Sequence, residues 1–152
     1  MVLYRIGRGG GMIKIGKLTD YAVVVLDRMS RDSGLHTVSD LAERTGIPAT
    51  TVAKLLKQLA AAGLVSSHRG VNGGYALNLS PGLISVAAII IALEGPIAVT
   101  ECVSNAESAC GTVVKCSMRG NWEKINQAVR SALESVSLAD MSAPSIFLET
   151  GR

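Results

Sequence analysis

The sequence predicts a mostly α-helical protein with a small β-wing, organised as a winged helix-turn-helix domain followed by a long C-terminal dimerisation helix. Three observations support this fold class. Short helical patterns separated by glycine or proline occupy the first part of the chain, and a glycine-rich hairpin follows them. Beyond three spaced cysteines, an apolar stripe repeats at heptad spacing. A chain of 152 residues, 48% of them hydrophobic, is long enough to bury one such core.

The chain divides into five parts. They are a flexible N-terminal extension (1–11), the winged domain (12–96), a cysteine loop (97–120), the dimerisation helix (121–141) and a tail (142–152). No apolar run approaches the roughly 18 residues that cross a bilayer, and the N-terminus lacks an apolar signal core. We therefore expect a cytoplasmic protein without membrane contact, in a compartment that keeps thiols reduced.

The first helix should begin at Lys17 with Thr19 as its N-cap and should end near Arg31. Asp20 then lies in the first turn, where the helix dipole favours a carboxylate. Two more short helices follow, separated by a turn that contains Gly46. Together these two helices form the predicted helix-turn-helix.

The third helix has two distinct faces. Its core-facing positions, spaced i, i+3, i+4 and i+7, are Val52, Leu55, Leu56 and Leu59. We assign Thr50, Thr51, Lys54 and Lys57 to the DNA-binding side, which is polar at its start and cationic beyond. This pattern matches a recognition helix in a major groove, with hydroxyls near base edges and lysines near bases or phosphates. A solvated face with two lysines is the alternative.

The hairpin after this helix extends the same basic surface. Residues 64–77 read as two short strands joined by a glycine-rich turn, and no Asp or Glu occurs between Arg44 and Leu93. From the hairpin, His68, Arg69 and Asn72 join the predicted DNA contacts. An arginine at the wing turn suits insertion into a minor groove. Aromatic residues are too few for stacking on unpaired bases, so the expected partner is double-stranded DNA.

The last helical pattern predicts a dimerisation surface. Its apolar positions are Trp122, Ile125, Val129, Ala132, Leu133 and Val136. A heptad seam on a lone helix needs a partner helix. We expect a homodimer, because duplex readers of this type commonly bind two half-sites through a twofold axis. Packing of the helix back on its own domain is the alternative.

The loop between domain and helix contains all three cysteines. Cys102, Cys110 and Cys116 are separated by seven and then five residues. Soft sulfur ligands select iron-sulfur clusters, zinc or copper(I). Oxygen, nitrogen or solvent must supply a fourth ligand, so the site should be labile, which suits a sensor. Inert buried thiols are the alternative, since no C-x-x-C pair is present.

Seven motifs together resemble a known family. They are LTDYAVVVL (18–26), TVAKLLKQLAAAGLV (51–65), RGVNGGYAL (69–77), ALEGP (92–96), TEC (100–102), NWEKIN (121–126) and SLADM (137–141). In order and spacing they resemble the IscR/NsrR family of winged-helix iron-sulfur transcriptional regulators. Within that family, the chain is most similar to regulators of the SUF iron-sulfur assembly system. The resemblance covers about residues 12–141.

This resemblance implies a homodimeric bacterial transcription factor that binds promoter operators and controls cluster assembly genes. It implies that the three matching cysteines hold a 2Fe-2S or 4Fe-4S cluster whose state sets DNA occupancy. Some members place a histidine ligand three residues after the last cysteine, where this chain has Arg119, a cation that cannot ligate. In others an acidic residue early in the first helix ligates across the dimer, and Asp20 is the matching residue. Glu107 is a further oxygen candidate.

Three other functions remain open from the sequence. A cluster-free thiol or zinc redox regulator would use the same cysteines, as would a nitric oxide-sensing repressor of the same family. A winged module that binds a protein partner would show no salt-dependent affinity for DNA. An enzyme is not expected, because only His36 and His68 could act as near-neutral bases, and no nucleophile pattern surrounds either.

Overall fold

The computed structural model describes residues 14–100, 103 and 117–144. Its elements are α1 Lys17–Arg31, α2 Val38–Thr45, α3 Ala49–Ala61, β1 Val65–His68, β2 Gly74–Leu77, a 3-10 helix Pro81–Leu83, α4 Val86–Glu94, α5 Arg119–Ser135 and α6 Leu138–Ser142. Helices with one small hairpin confirm the predicted fold class. The predicted extension, the three cysteines and most of the tail lie outside the described residues. In the described part, no helix has the length and apolar character of a membrane span.

Helix α1 begins at Lys17 as predicted, but Gly16 is its N-cap, so the assignment of Thr19 as the cap was wrong. Thr19 lies one turn inside the helix and is only 1% exposed. Its hydroxyl donates a hydrogen bond to the Glu94 carboxylate at the end of α4. The start of α1 is therefore stabilised by another helix instead of by a local capping side chain.

The helix-turn-helix has well-defined local ends. Thr37 caps α2 by accepting a hydrogen bond from the Asp40 amide, and Gly46 ends α2 with the left-handed backbone (φ 71°) that glycine tolerates. The apolar stripe of α3 is buried as predicted and faces α1 and α4. The largest fully buried side chains of this core include Leu26, Leu41, Leu55, Leu56, Leu59, Ile84 and Ile89.

The wing is an antiparallel hairpin in which Val65 pairs with Leu77 and His68 with Gly74. A backbone bridge also ties it to the segment before α2. The His36 amide donates to the Tyr75 carbonyl and the Tyr75 amide to the His36 carbonyl, both at 2.8 Å. A Cβ on Gly74 would lie 2.8 Å from the His36 carbonyl oxygen, so this close approach requires glycine. The root of the wing is therefore fixed to the helical domain.

The long C-terminal helix is shorter than predicted. A single helix over 121–141 was wrong, because α5 ends at Ser135 and Val136 has extended backbone. Ser137 then caps α6 in a reciprocal capping box with Asp140. Val136 thus lies outside the helical seam to which the heptad spacing assigned it.

After α5 the chain returns to the winged domain. The Val136 carbonyl accepts a hydrogen bond from the Val86 amide at 2.9 Å, and the Leu138 amide donates to the Ile84 carbonyl at 2.8 Å. Leu138 is fully buried in the same core as the helix-turn-helix. Helix α5, which we call the stem, is therefore anchored at its C-terminal end in the winged domain.

Candidate DNA interface and cysteine region

The outer face of α3 presents polar and cationic side chains to solvent. Thr50, Lys54 and Lys57 are exposed, as the helical period predicts, while Thr51 is half-buried. Pro48 precedes the helix, and no side chain caps its first turn. The hydroxyls near the start and the ammonium groups beyond therefore share one accessible face. This is the arrangement that major-groove recognition requires.

The charges on this face are not neutralised by neighbouring carboxylates. Arg44 of α2 is held by Asp32 at 2.6 Å and by Asp40 at 2.7 Å. The remaining ion pairs of lysine or arginine in the described residues lie within or beside α1 and within α5. Among those described pairs, none includes a cation of α3 or the wing. The cationic side chains of α3 and the wing are therefore outside the described ion pairs and give this face a positive charge.

The predicted wing contacts all lie at the exposed end of the hairpin. His68, Arg69 and Asn72 are exposed, and the His68 Nε2 lies 3.1 Å from the Ser66 hydroxyl. The Gly73 amide donates to the Gly70 carbonyl and closes the turn. Sequence reasoning missed Val71, which is fully exposed at the tip. Its position inside a G-V-N-G turn was the available signal.

The described residues include the two borders of the cysteine segment. Cys102, Cys110, Cys116 and Glu107 lie outside the described residues, so their convergence stays a prediction. Asp20 is exposed in the first turn of α1, and its carboxylate forms no hydrogen bond or ion pair with the rest of the described chain. Groups of three or more possible metal-binding His, Cys, Asp or Glu side chains are absent from the described residues.

The segment that leads into the cysteines is fixed at its start by Glu94. This carboxylate accepts hydrogen bonds from the Gly16 amide at 2.8 Å and the Thr19 hydroxyl at 2.5 Å. Sequence reasoning missed the contact. The available signal was a carboxylate in the last turn of a helix, where the dipole disfavours negative charge and a donor from elsewhere is needed.

The same segment is also bound to α5. The Val99 amide donates to the Asn126 side-chain oxygen at 3.1 Å, and Asn126 is only 7% exposed. A cavity of about 540 Å³ lies between this segment, α4 and α5. Its apolar lining includes Ile90, Pro96, Trp122, Ile125, Val129 and Leu133. Four of the predicted seam residues thus line a cavity that also borders their own domain.

Helix α5 remains partly uncovered. Trp122 is 41% and Ile125 is 47% exposed, and Met118 just before the helix is 52% exposed. Val129 and Leu133 are half-buried, whereas Ala132 is exposed. The helix therefore packs against its own domain on one side and leaves large apolar side chains accessible on another.

A helix-turn-helix with an unpaired cationic face, joined to a fixed basic wing, defines a winged-helix DNA-binding transcriptional regulator. The comparisons with known proteins give the family. The family model described as "Rrf2: Iron-dependent Transcriptional regulator" matches residues 15–144. The chain belongs to this family, and it is a regulator and not an enzyme.

Individual relatives agree with this assignment. The chain is 32% identical over 123 residues to the HTH-type transcriptional regulator IscR of Aliivibrio salmonicida, covering 80% of this chain and 72% of that one. Among solved structures it is similar to CymR, the global cysteine regulator of B. subtilis, with 30% identity, a TM-score of 0.65, and 86% and 96% coverage. IscR of T. potens gives 30% identity, a TM-score of 0.60 and 85% coverage of each chain.

Proposed function

We propose that this protein is a homodimeric regulator that binds operator DNA and reports iron-sulfur cluster status to the SUF cluster assembly genes. The observation that carries this proposal is that all three cysteines lie in sequence between α4 and α5, in a chain whose family is described as iron-dependent. Helix α4, before this segment, belongs to the winged DNA-binding domain, and helix α5, after it, is the stem. A change of cluster state in the segment would therefore act next to the two elements that determine how a dimer fits DNA.

On DNA, α3 enters the major groove of each half-site. Thr50 and Thr51 face base edges, Lys54 and Lys57 contact bases or phosphates, and the wing follows the adjacent backbone. Wing residues His68, Arg69 and Asn72 contact the minor groove or its phosphates. The support is that all of these side chains except the half-buried Thr51 are exposed, and that competing carboxylates are lacking on the described part of that face.

The dimer forms along α5. Trp122 and Ile125, with Met118 just before the helix, expose large apolar surfaces that a second copy would cover. Val129, Ala132 and Leu133 extend the contact along the helix, and Val136 contributes only at its end. Twofold pairing of the stems sets the separation between the two α3 helices and thus the half-site spacing.

The donor set fits an iron-sulfur cluster. Cys102, Cys110 and Cys116 supply three soft thiolates, and Asp20 from the other subunit supplies the fourth ligand. Asp20 suits this role because its carboxylate is exposed and has no partner in the described chain. When bound, the cluster supplies an oxidation- and iron-sensitive link between subunits. DNA occupancy then needs only a few kcal/mol of difference between two states, since about 1.4 kcal/mol is tenfold.

A cluster-free thiol regulator is the second candidate function. Its support is the similarity to CymR, the global cysteine regulator of B. subtilis. In this case two of the three cysteines would be oxidised to a disulfide by a thiol oxidant, which would accept the two electrons. Oxidation would then change DNA affinity without any iron.

Anaerobic reconstitution distinguishes these functions. We expect visible absorbance with matching iron and sulfide content in the wild type, loss of both in the triple Cys→Ser variant, and a cluster that is lost faster or has an altered spectrum in Asp20→Ala. Glu123→Ala, at an exposed position on α5, is the control carboxylate variant. Uptake of zinc alone, or of no metal, would refute the cluster assignment.

The DNA interface is tested by the salt dependence of binding. Lys54→Ala and Arg69→Ala should each weaken binding to a SUF promoter duplex and reduce the slope of log K against log salt by about one for each phosphate interaction removed. Lys124→Ala removes an exposed lysine from α5 and is the matched control. Fluorescence anisotropy at several salt concentrations measures the slopes. Unchanged slopes in both interface variants would contradict this pose.

A further inference from the structure

The Glu94 carboxylate joins two elements that are distant in sequence. It accepts hydrogen bonds from the Gly16 amide and the Thr19 hydroxyl, although 78 and 75 positions separate these residues from it. Thr19 is 1% exposed, so its hydroxyl cannot exchange Glu94 for water without local opening, although Glu94 itself lies at the surface. Helix α1 has no side-chain N-cap of its own. Glu94 therefore accepts from the amide of the N-cap residue Gly16, the donor that the acidic residue of a capping box would otherwise bind.

Electrostatics and packing make this contact specific. At the end of α4 a carboxylate meets the negative end of the helix dipole, but at the start of α1 it meets the positive end. A Cβ on Gly16 would lie 2.8 Å from the Glu94 Oε1, so a larger residue at this position would displace the end of the Glu94 side chain.

The contact lies between the two parts of the proposed cofactor site. Glu94 ends α4 and is followed by linker 95–100, which leads to Cys102. On the other side of the contact, Asp20 follows Thr19 in the first turn of α1. The linker is separately bound to α5 through Val99. A displacement of the linker therefore acts on both α1 and the stem.

We propose that Glu94 is a positioning residue that couples linker 95–100 to α1 and, through the shared core, to α3. The buried face of α1, which includes Val25 and Leu26, lies in the same apolar cluster as Leu55 and Leu56 of α3. A shift at the start of α1 is therefore transmitted by packed side chains to the recognition helix. The proposal rests on the proposed function only in that the cysteine segment is what moves the linker.

Amide hydrogen exchange of the reduced, metal-free protein tests the coupling itself. Removal of a charge-assisted hydrogen bond should raise local opening about tenfold. We expect Glu94→Ala to accelerate exchange in residues 16–20 and in linker 95–100 together. Thr19→Val should do the same, while Thr19→Ser keeps the hydroxyl and retains protection. Acceleration in α1 alone, or in neither segment, would overturn the coupling.

The two substitutions at Thr19 are both conservative, and they differ in whether the hydroxyl is kept. If Glu94→Ala fails to fold, as judged by circular dichroism, Thr19→Val against Thr19→Ser still compares loss and retention of one hydroxyl. Glu123→Ala controls for removal of an exposed carboxylate and should exchange like the wild type.

DNA affinity with and without reconstituted cofactor tests the consequence. In the wild type the two affinities should differ; in Glu94→Ala and Thr19→Val their ratio should fall towards one, and in Thr19→Ser and Glu123→Ala it should persist. A merely structural role would lower thermal stability and leave the ratio unchanged, which would overturn the proposal. If the wild type itself gives a ratio of one, the proposed function fails, while the exchange experiment still decides whether Glu94 couples the linker to α1.

Discussion

The bridge between the wing and the segment before α2 gives a sharp test of how the wing is held. Gly74→Ala places a methyl group 2.8 Å from the His36 carbonyl oxygen, a distance that Cβ atoms do not sustain. The obstacle is backbone and cannot rotate away. We therefore expect the strand to separate from His36 at the root of the wing.

The expected cost follows from the hydrogen bonds that this separation breaks. The bridge consists of two reciprocal hydrogen bonds between His36 and Tyr75, each 2.8 Å long. At about 1 kcal/mol for a typical net hydrogen bond, breaking both should lower the free energy of unfolding by about 2 kcal/mol. The displaced wing should also weaken DNA binding, because Arg69 no longer reaches the groove.

Urea denaturation followed by circular dichroism measures the first effect and anisotropy the second. Gly82→Ala is the matched control, since a Cβ at that exposed position has no atom within 4 Å. It should leave both stability and DNA affinity close to the wild type. If Gly74→Ala unfolds at the same urea concentration as Gly82→Ala, the bridge does not hold the wing and this reasoning is refuted.

Two further predictions concern the anchor after α5. Leu138→Ala should lower the free energy of unfolding by about 2–5 kcal/mol because the side chain is fully buried, whereas Met141→Ala, at a 52% exposed position, should change it little in urea titrations. Hydrogen bonds from the Ser137 hydroxyl and amide lower the pKa of Asp140 below its ordinary value of 3.8. The charged form therefore stabilises the fold above that value, and the contribution is lost as the pH falls through the lowered pKa. Asp140→Asn should be less stable than the wild type at pH 7, and denaturation at several pH values should show this difference shrinking below about pH 3.8; a constant difference would contradict the assignment.

Local patterns in the sequence were sufficient for the helix-turn-helix and the wing. The α3 stripe has a clear 3.6-residue period, and its positions Val52 and Leu59 are fully buried. Glycine at the hairpin turn and at Gly46 marks backbone that other residues adopt at a cost. Such signals depend only on neighbouring residues, which explains why they predicted the elements correctly.

Contacts between distant residues were not predictable in the same way. Thr19 looked like a local cap because its preference for helix starts is real, but its partner Glu94 lies 75 positions away. The end of α5 was missed for a different reason. The heptad spacing continues to Val136, and the predicted helix 121–141 ran on through Ser137 to Asp140, whose capping signal starts a new helix. Of the candidate site, exposure of the α3 and wing side chains agrees with expectation, and the cysteine geometry stays a prediction.

The return of the chain through Leu138 fixes the C-terminal end of α5 to the winged domain, so a tilt of α5 displaces its N-terminal end most. Helix α5 has 17 residues and, at 1.5 Å each, measures about 25 Å. A tilt of roughly 8° over this length moves the far end by about 3.5 Å, close to the 3.4 Å rise of one base pair. In the proposed dimer, a small change in the angle between the paired α5 helices would therefore change the distance between the two winged domains by about one base pair. The dimer would then fit operators whose half-sites differ in spacing by that amount.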